Sequence, residues 1–279
     1  MRLLLLTVLA LSSLMRNSLR AESVPPGKTY ALIVGISEYG KLPHDLWLQY
    51  PHIDATTLAQ FLASPRGGAV PADQVRVLTN AQATTGALRD AFQTFLKQPG
   101  KNDTVYIFIA GHGTVDAHGA YILTYDSDPN ALGATAMPMG ELFALVQGEL
   151  TTAGHVIFLA DVCRAASIAG QKSTALGVEK FGDAEGELLG LMAARPTELS
   201  MEGPQFGGGH GAFTWSVLQG LAGAADTDKD GFVTVGELID YVTTNVPKLT
   251  GNKQDPRDFG SMDNAMRLAD LGKPGIKLP

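Results

Sequence analysis

The chain has 279 residues, of which 45% are hydrophobic and 18% charged, an ordinary composition for a packed soluble protein of one large or two small domains. A formal net charge of −7 and the lack of any clustered basic patch argue against a nucleic-acid or anionic-membrane surface. The single cysteine excludes an internal disulfide, so that thiol needs another reason to be present, the plainest being that it is a small buried hydrophobe.

Met1-Arg2 leads into an apolar run over residues 3–15, which Arg16, Asn17 and Arg20 interrupt. This is the pattern of a secretory signal, with cleavage expected after Ala21, and the run is shorter than the ~20 apolar residues of a spanning helix. The protein is therefore expected to be exported from a bacterial-type cell, to the periplasm or the medium, with no stable membrane span once residues 1–21 are removed. Residues 22–28, with Pro25-Pro26-Gly27, form a linker.

Beyond the linker, apolar runs of strand length alternate with amphipathic stretches of helix length, which predicts an α/β fold with a mostly parallel sheet covered on both faces. Strands are expected over 30–36, 75–78, 104–110, 156–160 and 188–193; the third and fourth are nearly uninterrupted apolar runs, as buried central strands should be. Helices are expected over 54–63, 84–96, 139–147, 213–221 and 235–246. Residues 165–186 lack sustained periodicity and carry Gly170, Gly177, Gly182 and Gly186, the pattern of a long exposed connector between a first block, 29–164, and a second, 187–260. Residues 261–279 read as a C-terminal tail.

In open parallel sheets, ligands bind beyond the carboxyl ends of the strands. Strand 104–110 runs into Gly111-His112-Gly113, and strand 156–160 into Asp161-Val162-Cys163-Arg164. If the two strands are neighbours, an imidazole and a thiol meet at one edge. A thiol attacks a carbonyl as its thiolate; a nearby imidazole can take that proton and return it to the leaving amine. The N–H groups of Gly113 and Cys163 are candidates for an oxyanion hole. Taken alone, His112 also reads as a strand-end histidine serving backbone hydrogen bonds.

Strand–His-Gly followed by strand–Asp-x-Cys resembles the caspase, metacaspase and bacterial orthocaspase group of peptidases. Ala31-Leu32-Ile33-Val34-Gly35-Ile36, Asp54-Ala55 and Gly209-His210-Gly211-Ala212-Phe213-Thr214 are similar to that family's landmarks, and the resemblance spans residues 29–260. It implies a mostly parallel six-stranded sheet with helices on both faces and a catalytic domain in a large and a small portion. It also implies cleavage of protein or peptide substrates through a thioester, with His112 and Cys163 as the dyad. Metacaspase-like enzymes place an aspartate two positions before the cysteine to receive arginine or lysine. Asp161 holds that position, and Asp54 matches a second acidic one, so the resemblance implies cleavage after Arg or Lys. On their own, Asp54 suits a helix N-cap and Asp161 a strand-end acceptor. Arg164-Ala165-Ala166 departs from the His-Ser-Gly of metacaspases and the Arg-Gly of caspases, and Lys172 and Lys180 are candidate self-cleavage sites. Two other readings stand beside this one: a gingipain- or legumain-like peptidase, and an inactive scaffold serving as a calcium-dependent binding module.

Asp226-Thr227-Asp228-Lys229-Asp230-Gly231, closed by Glu237, fits the calcium-loop pattern D-x-D-x-D-G-x5-E. Asp226, Asp228 and Asp230 offer hard oxygen ligands, Phe232 its backbone carbonyl, Thr234 its hydroxyl or a water, and Glu237 both carboxylate oxygens. A structural or regulatory Ca2+ is expected in the small portion; the alternative is an Asp/Gly-rich surface turn. His44, His52, His118, His155 and His210 show no paired metal-ligand spacing, and no glycine-rich phosphate loop follows a strand, so zinc and organic cofactors are not expected.

Overall fold

Strands apolar on both faces need helices on both sides, and that requirement sets the architecture. The structure, a computed structural model, describes residues 27–164, 187–195 and 198–278, and of Leu150, Cys163 and Arg164 the backbone only. The expected signal segment and the connector with Lys172 and Lys180 lie outside the described residues. In chain order the elements are β1 (Thr29–Gly35), α1 (Pro51–Ala63), β2 (Val75–Thr79), α2 (Thr85–Gln93), β3 (Thr104–Val115), β4 (Ala120–Ile122), α3 (Leu132–Thr135), β5 (Met137–Pro138) and α4 (Met139–Leu150). Then follow β6 (His155–Arg164), β7 (Glu187–Met192), β8 (Glu202–Gly203), β9 (His210–Gly211), α5 (Ala212–Gln219), β10 (Phe232–Thr234), α6 (Val235–Leu249), β11 (Arg257–Phe259) and β12 (Arg267–Asp270).

The main sheet has the order β11-β7-β6-β3-β1-β2. All neighbours are parallel except β11, which runs antiparallel along β7; β4 adds antiparallel to the far half of β3, and β5 to β4. Strand residues alternate between two core layers, as the two-residue period requires. Leu32, Val34, Ile107, Ile109 and Phe158 pack with α2 and α4 on one face. Ala31, Ile33, Phe108, Ile157 and Leu159 pack with α1, α5 and α6 on the other. The path of six strands is the sheet implied by the resemblance, with β4 and β5 as an extension.

Three differences bear on the site. First, β3 and β6 continue past Ala110 and Ala160, so that His112 and Cys163 lie within the pairing rather than just after it. The reason is that β3 is held on both sides here, by β6 through His112↔Cys163 and by β4 through Gly113↔Ile122. Second, α1 begins at Pro51, a residue suited to a first helical position, so Asp54 lies inside the first turn and is not the N-cap. The helix lies hard against the end of β1: a Cβ on Gly35 would stand 2.1 Å from the Pro51 carbonyl oxygen, so only glycine lets Asp54 come this close to the sheet end. Third, the segment expected as a C-terminal tail supplies β12, which pairs with β10 and buries Leu268 and Ala269.

Candidate active site

The parallel register brings two chemically distinct groups to the carboxyl end of the sheet: His112 opposite Cys163, and Ala110 opposite Asp161. The His112 backbone N–H donates to the Tyr39 hydroxyl at 2.7 Å, and that hydroxyl donates to the Ile36 carbonyl at 2.9 Å. His112 Nε2 lies 2.7 Å from the carbonyl oxygen of Leu46, which only accepts, so the hydrogen bond assigns the proton to Nε2. Nδ1 is buried, with no hydrogen-bond partner among the described residues. Burial lowers the pKa of His112, partly offset by the Leu46 bond, so the ring is neutral at pH 7 with a lone pair on Nδ1 to accept a proton. Leu46 sits on a loop tied down by Trp47 Nε1, which donates to the Tyr39 and Leu42 carbonyls at 3.2 and 3.3 Å. Gly113, the expected oxyanion donor, is the next residue of β3, in register with Arg164 of β6.

Asp54 and Asp161, distant in sequence, line one pocket together with Leu48, Met201, Glu202 and Gly211. Asp161 Oδ1 accepts from the Ser200 hydroxyl at 2.5 Å, and Oδ2 from the Thr214 hydroxyl at 2.6 Å and its N–H at 3.2 Å. Asp54 Oδ1 is 2.6 Å from His210 Nδ1, and Oδ2 accepts from the Gly211 N–H at 3.0 Å. A Cβ on Gly211 would stand 2.4 Å from Asp161 Oδ2 and 3.3 Å from Asp54 Oδ2, so the Gly211 backbone passes between the two carboxylates. Glu202 brings a third carboxylate, accepting from the N–H groups of Gln49 at 2.9 Å and Tyr50 at 3.2 Å.

Burial pushes Asp54 up to about 7; the Asp161 charge adds to this, while bonds to His210 and Gly211 oppose it. Burial likewise raises Asp161 and Glu202. Among the described residues no lysine or arginine is ion-paired with any of the three. Three acids held together in low dielectric, one bonded to His210 and none to a lysine or arginine of the described residues, favour a cationic guest. Asp54 and Asp161 were readable in the sequence. Glu202, Ser200 and the Leu46 carbonyl were not, and His210 and Thr214 stood in a family landmark without a role.

In the loop 226–237, Asp226, Asp228 and Glu237 each bring one oxygen to within 4.8 Å of the others. Asp226 Oδ1 is buried, with no hydrogen-bond partner among the described residues. Of the other expected ligands, Asp230 Oδ1 accepts from the Phe232 N–H at 2.8 Å, and Thr234 caps α6, its hydroxyl donating to Glu237 at 2.8 Å. Burial alone would raise the Glu237 pKa, but the bonds from Thr234 and Thr227 outweigh it and pull it down to about 2. Lys229 and Gly231 take left-handed backbone, at φ 61° and 87°. A charged, all-oxygen donor set of this kind fits a hard divalent cation.

No helix among the described residues is long and apolar enough to cross a membrane. The family model of the caspase domain, peptidase C14, matches residues 28–264. Among solved structures, a protein of Geobacter sulfurreducens is similar over 90% of this chain and 100% of its own, with a TM-score of 0.62 and 18% identity. Caspase-1 from Spodoptera frugiperda is similar over 88% of this chain and 91% of its own, with a TM-score of 0.59 and 13% identity. No curated protein matches the chain. The solved structures share the fold, the family match spans most of the sequence, and the chain therefore belongs to the caspase-domain family of peptidases.

Proposed function

We propose that the protein is an exported cysteine endopeptidase that cleaves after arginine or lysine, with Cys163 as nucleophile and His112 as general base and acid. The observation that carries the specificity is the pocket in which Asp54, Asp161 and Glu202 converge beside the His112 strand end. A guanidinium or ammonium entering there meets acceptors on three sides, and charge-assisted bonds to carboxylates are about twice as strong as neutral ones. His112 Nδ1 takes the proton of the Cys163 thiol, and the sulfur forms a bond to the scissile carbonyl carbon. The N–H groups of Gly113 and Cys163 receive the developing oxyanion. The C–N bond then breaks, the leaving amine taking the proton from His112, and a water deprotonated by the same ring hydrolyses the thioester. The Leu46 carbonyl keeps Nε2–H in place throughout.

The test is hydrolysis of peptide reporters ending in Arg, Lys or Asp. Arg and Lys reporters are expected to exceed Asp reporters in kcat/KM by at least about a hundredfold, since a site lined by three carboxylates rejects a like charge. Preference for Asp would overturn the pocket reading; hydrolysis of none of the three would favour the inactive binding module.

The loop 226–237 fits Ca2+, which Asp226, Asp228 and Glu237 would hold, with Asp230, Thr234 and the Phe232 carbonyl as the remaining ligands of the motif. The ion would neutralise the gathered carboxylates and fix the start of α6. With a Kd of about 10⁻⁴–10⁻³ M, as in extracellular modules, calcium at ten times Kd stabilises by about 1.4 kcal/mol. That shifts Tm by roughly 3–6 °C in a domain of this size. Glu237→Gln is expected to abolish the shift, and equal melting in calcium and in chelator would remove the ion from this account.

A further inference from the structure

Glu202 stands at a junction. Its carboxylate is one wall of the acidic pocket, and its two oxygens accept the N–H groups of Gln49 and Tyr50, more than 150 residues away in sequence. Those two N–H groups close the loop that presents the Leu46 carbonyl to His112 Nε2. Upstream, the loop is tied by the Leu48 N–H to the Ser37 carbonyl at 3.0 Å and by the Trp47 indole. Beyond Leu48, Glu202 holds the N–H groups of Gln49 and Tyr50, and the Tyr50 carbonyl accepts from the Ile53 and Asp54 N–H groups of α1. Glu202 also lies at the N-terminal end of α1, which begins at Pro51, where the helix dipole favours a carboxylate.

We propose that Glu202 is a positioning residue that couples filling of the acidic pocket to the alignment of His112. A basic side chain entering the pocket and the N–H groups of Gln49 and Tyr50 draw on the same two oxygens. Sharing them changes how tightly the loop after Leu46 is held, and with it the carbonyl that fixes the imidazole. Pocket occupancy is thereby reported to the general base over a path of one side chain and a few residues of backbone. The inference rests on the acidic-pocket reading.

The test is the rate of Cys163 alkylation by iodoacetamide against pH, in the full chain, with and without agmatine as a guanidinium probe of the pocket. Iodoacetamide carries no basic group, so its rate reports the thiol and its base rather than substrate binding. In the unaltered protein, agmatine is expected to change the alkylation profile by at least about threefold. Glu202→Ala is expected to slow alkylation near pH 7 by about tenfold, the scale of a misplaced catalytic group, and to remove the response to agmatine. Glu202→Gln, which keeps an acceptor oxygen, should recover most of the alkylation rate without the agmatine response. If Glu202→Ala does not melt cooperatively, loss of the agmatine response in Glu202→Gln, at agmatine concentrations that calorimetry shows still fill the pocket, carries the test. Unchanged alkylation in Glu202→Ala, or an intact agmatine response in either variant, overturns the proposal. No agmatine effect on the unaltered protein while Arg reporters are cleaved overturns the coupling alone; failure to cleave or bind basic reporters overturns the pocket reading and this proposal with it.

Discussion

Cys163→Ala is expected to lower hydrolysis of Arg reporters by roughly four to six orders of magnitude, the scale seen when the nucleophile of a coupled catalytic group is removed. His112→Ala should cost a similar amount, and the double variant little more than either, because the two residues act as one unit. The expectation starts from the register that sets Cys163 opposite His112 and from the vacant, buried Nδ1. Binding of an Arg peptide should survive both substitutions, since the charge that attracts it comes from Asp54, Asp161 and Glu202. A Cys163→Ala protein that cleaves at a comparable rate would place the chemistry on another residue, and steady-state rates with a calorimetric binding measurement decide the matter.

Asp161→Asn is expected to reduce kcat/KM for Arg reporters by about 10²–10³-fold, an ion-pair loss in a desolvated site. The asparagine keeps one acceptor for Ser200 or Thr214 but turns an NH2 toward the others, so some stability is lost as well. The pH dependence has a definite sign. Asp54 rises from 3.8 to about 7 on folding, so between about pH 4 and 7 the folded chain holds a proton that the unfolded chain has released. Its contribution to stability is present below pH 4 and is lost as pH rises through 7, while the charge that attracts a guanidinium grows over the same interval. Activity on Arg reporters should therefore rise through pH 7 as Tm falls, and Asp54→Asn should flatten both. Burial lowers the His112 pKa from its usual range, and Asp54→Asn, which leaves that ring in place, separates the two groups. A pH–rate profile unchanged by Asp54→Asn would show that this carboxylate does not meet the substrate.

The sheet centre was legible because β3 and β6 are apolar runs whose period and length leave little choice. His112 and Cys163 were legible because they follow those runs directly, and Asp161 and Asp54 through the resemblance to the peptidase family. Glu202 and Ser200 were not, since nothing local marks a glutamate that meets the backbone of Gln49 and Tyr50 across the whole fold. The Leu46 carbonyl carries no side-chain signature at all: any residue there offers the same oxygen. The calcium motif was read as six ligands; that Asp230 also closes a turn and Thr234 also caps a helix is visible only in three dimensions.

The last strand of the main sheet settles what that end of the molecule can present to others. β7 offers six residues, five of them buried, and an open edge of that kind is a template on which a second chain can extend the sheet. Here the position is taken by β11, three residues long, antiparallel, with Arg257 and Asp258 exposed. The aromatic ring of Phe259 lies over Gly190, where a Cβ would stand 2.2 Å from it, locking the short strand onto the longer one. Growth of the sheet by strand addition at this end would have to start from a charged stub, so the chain carries its own terminator against fibrous self-association there.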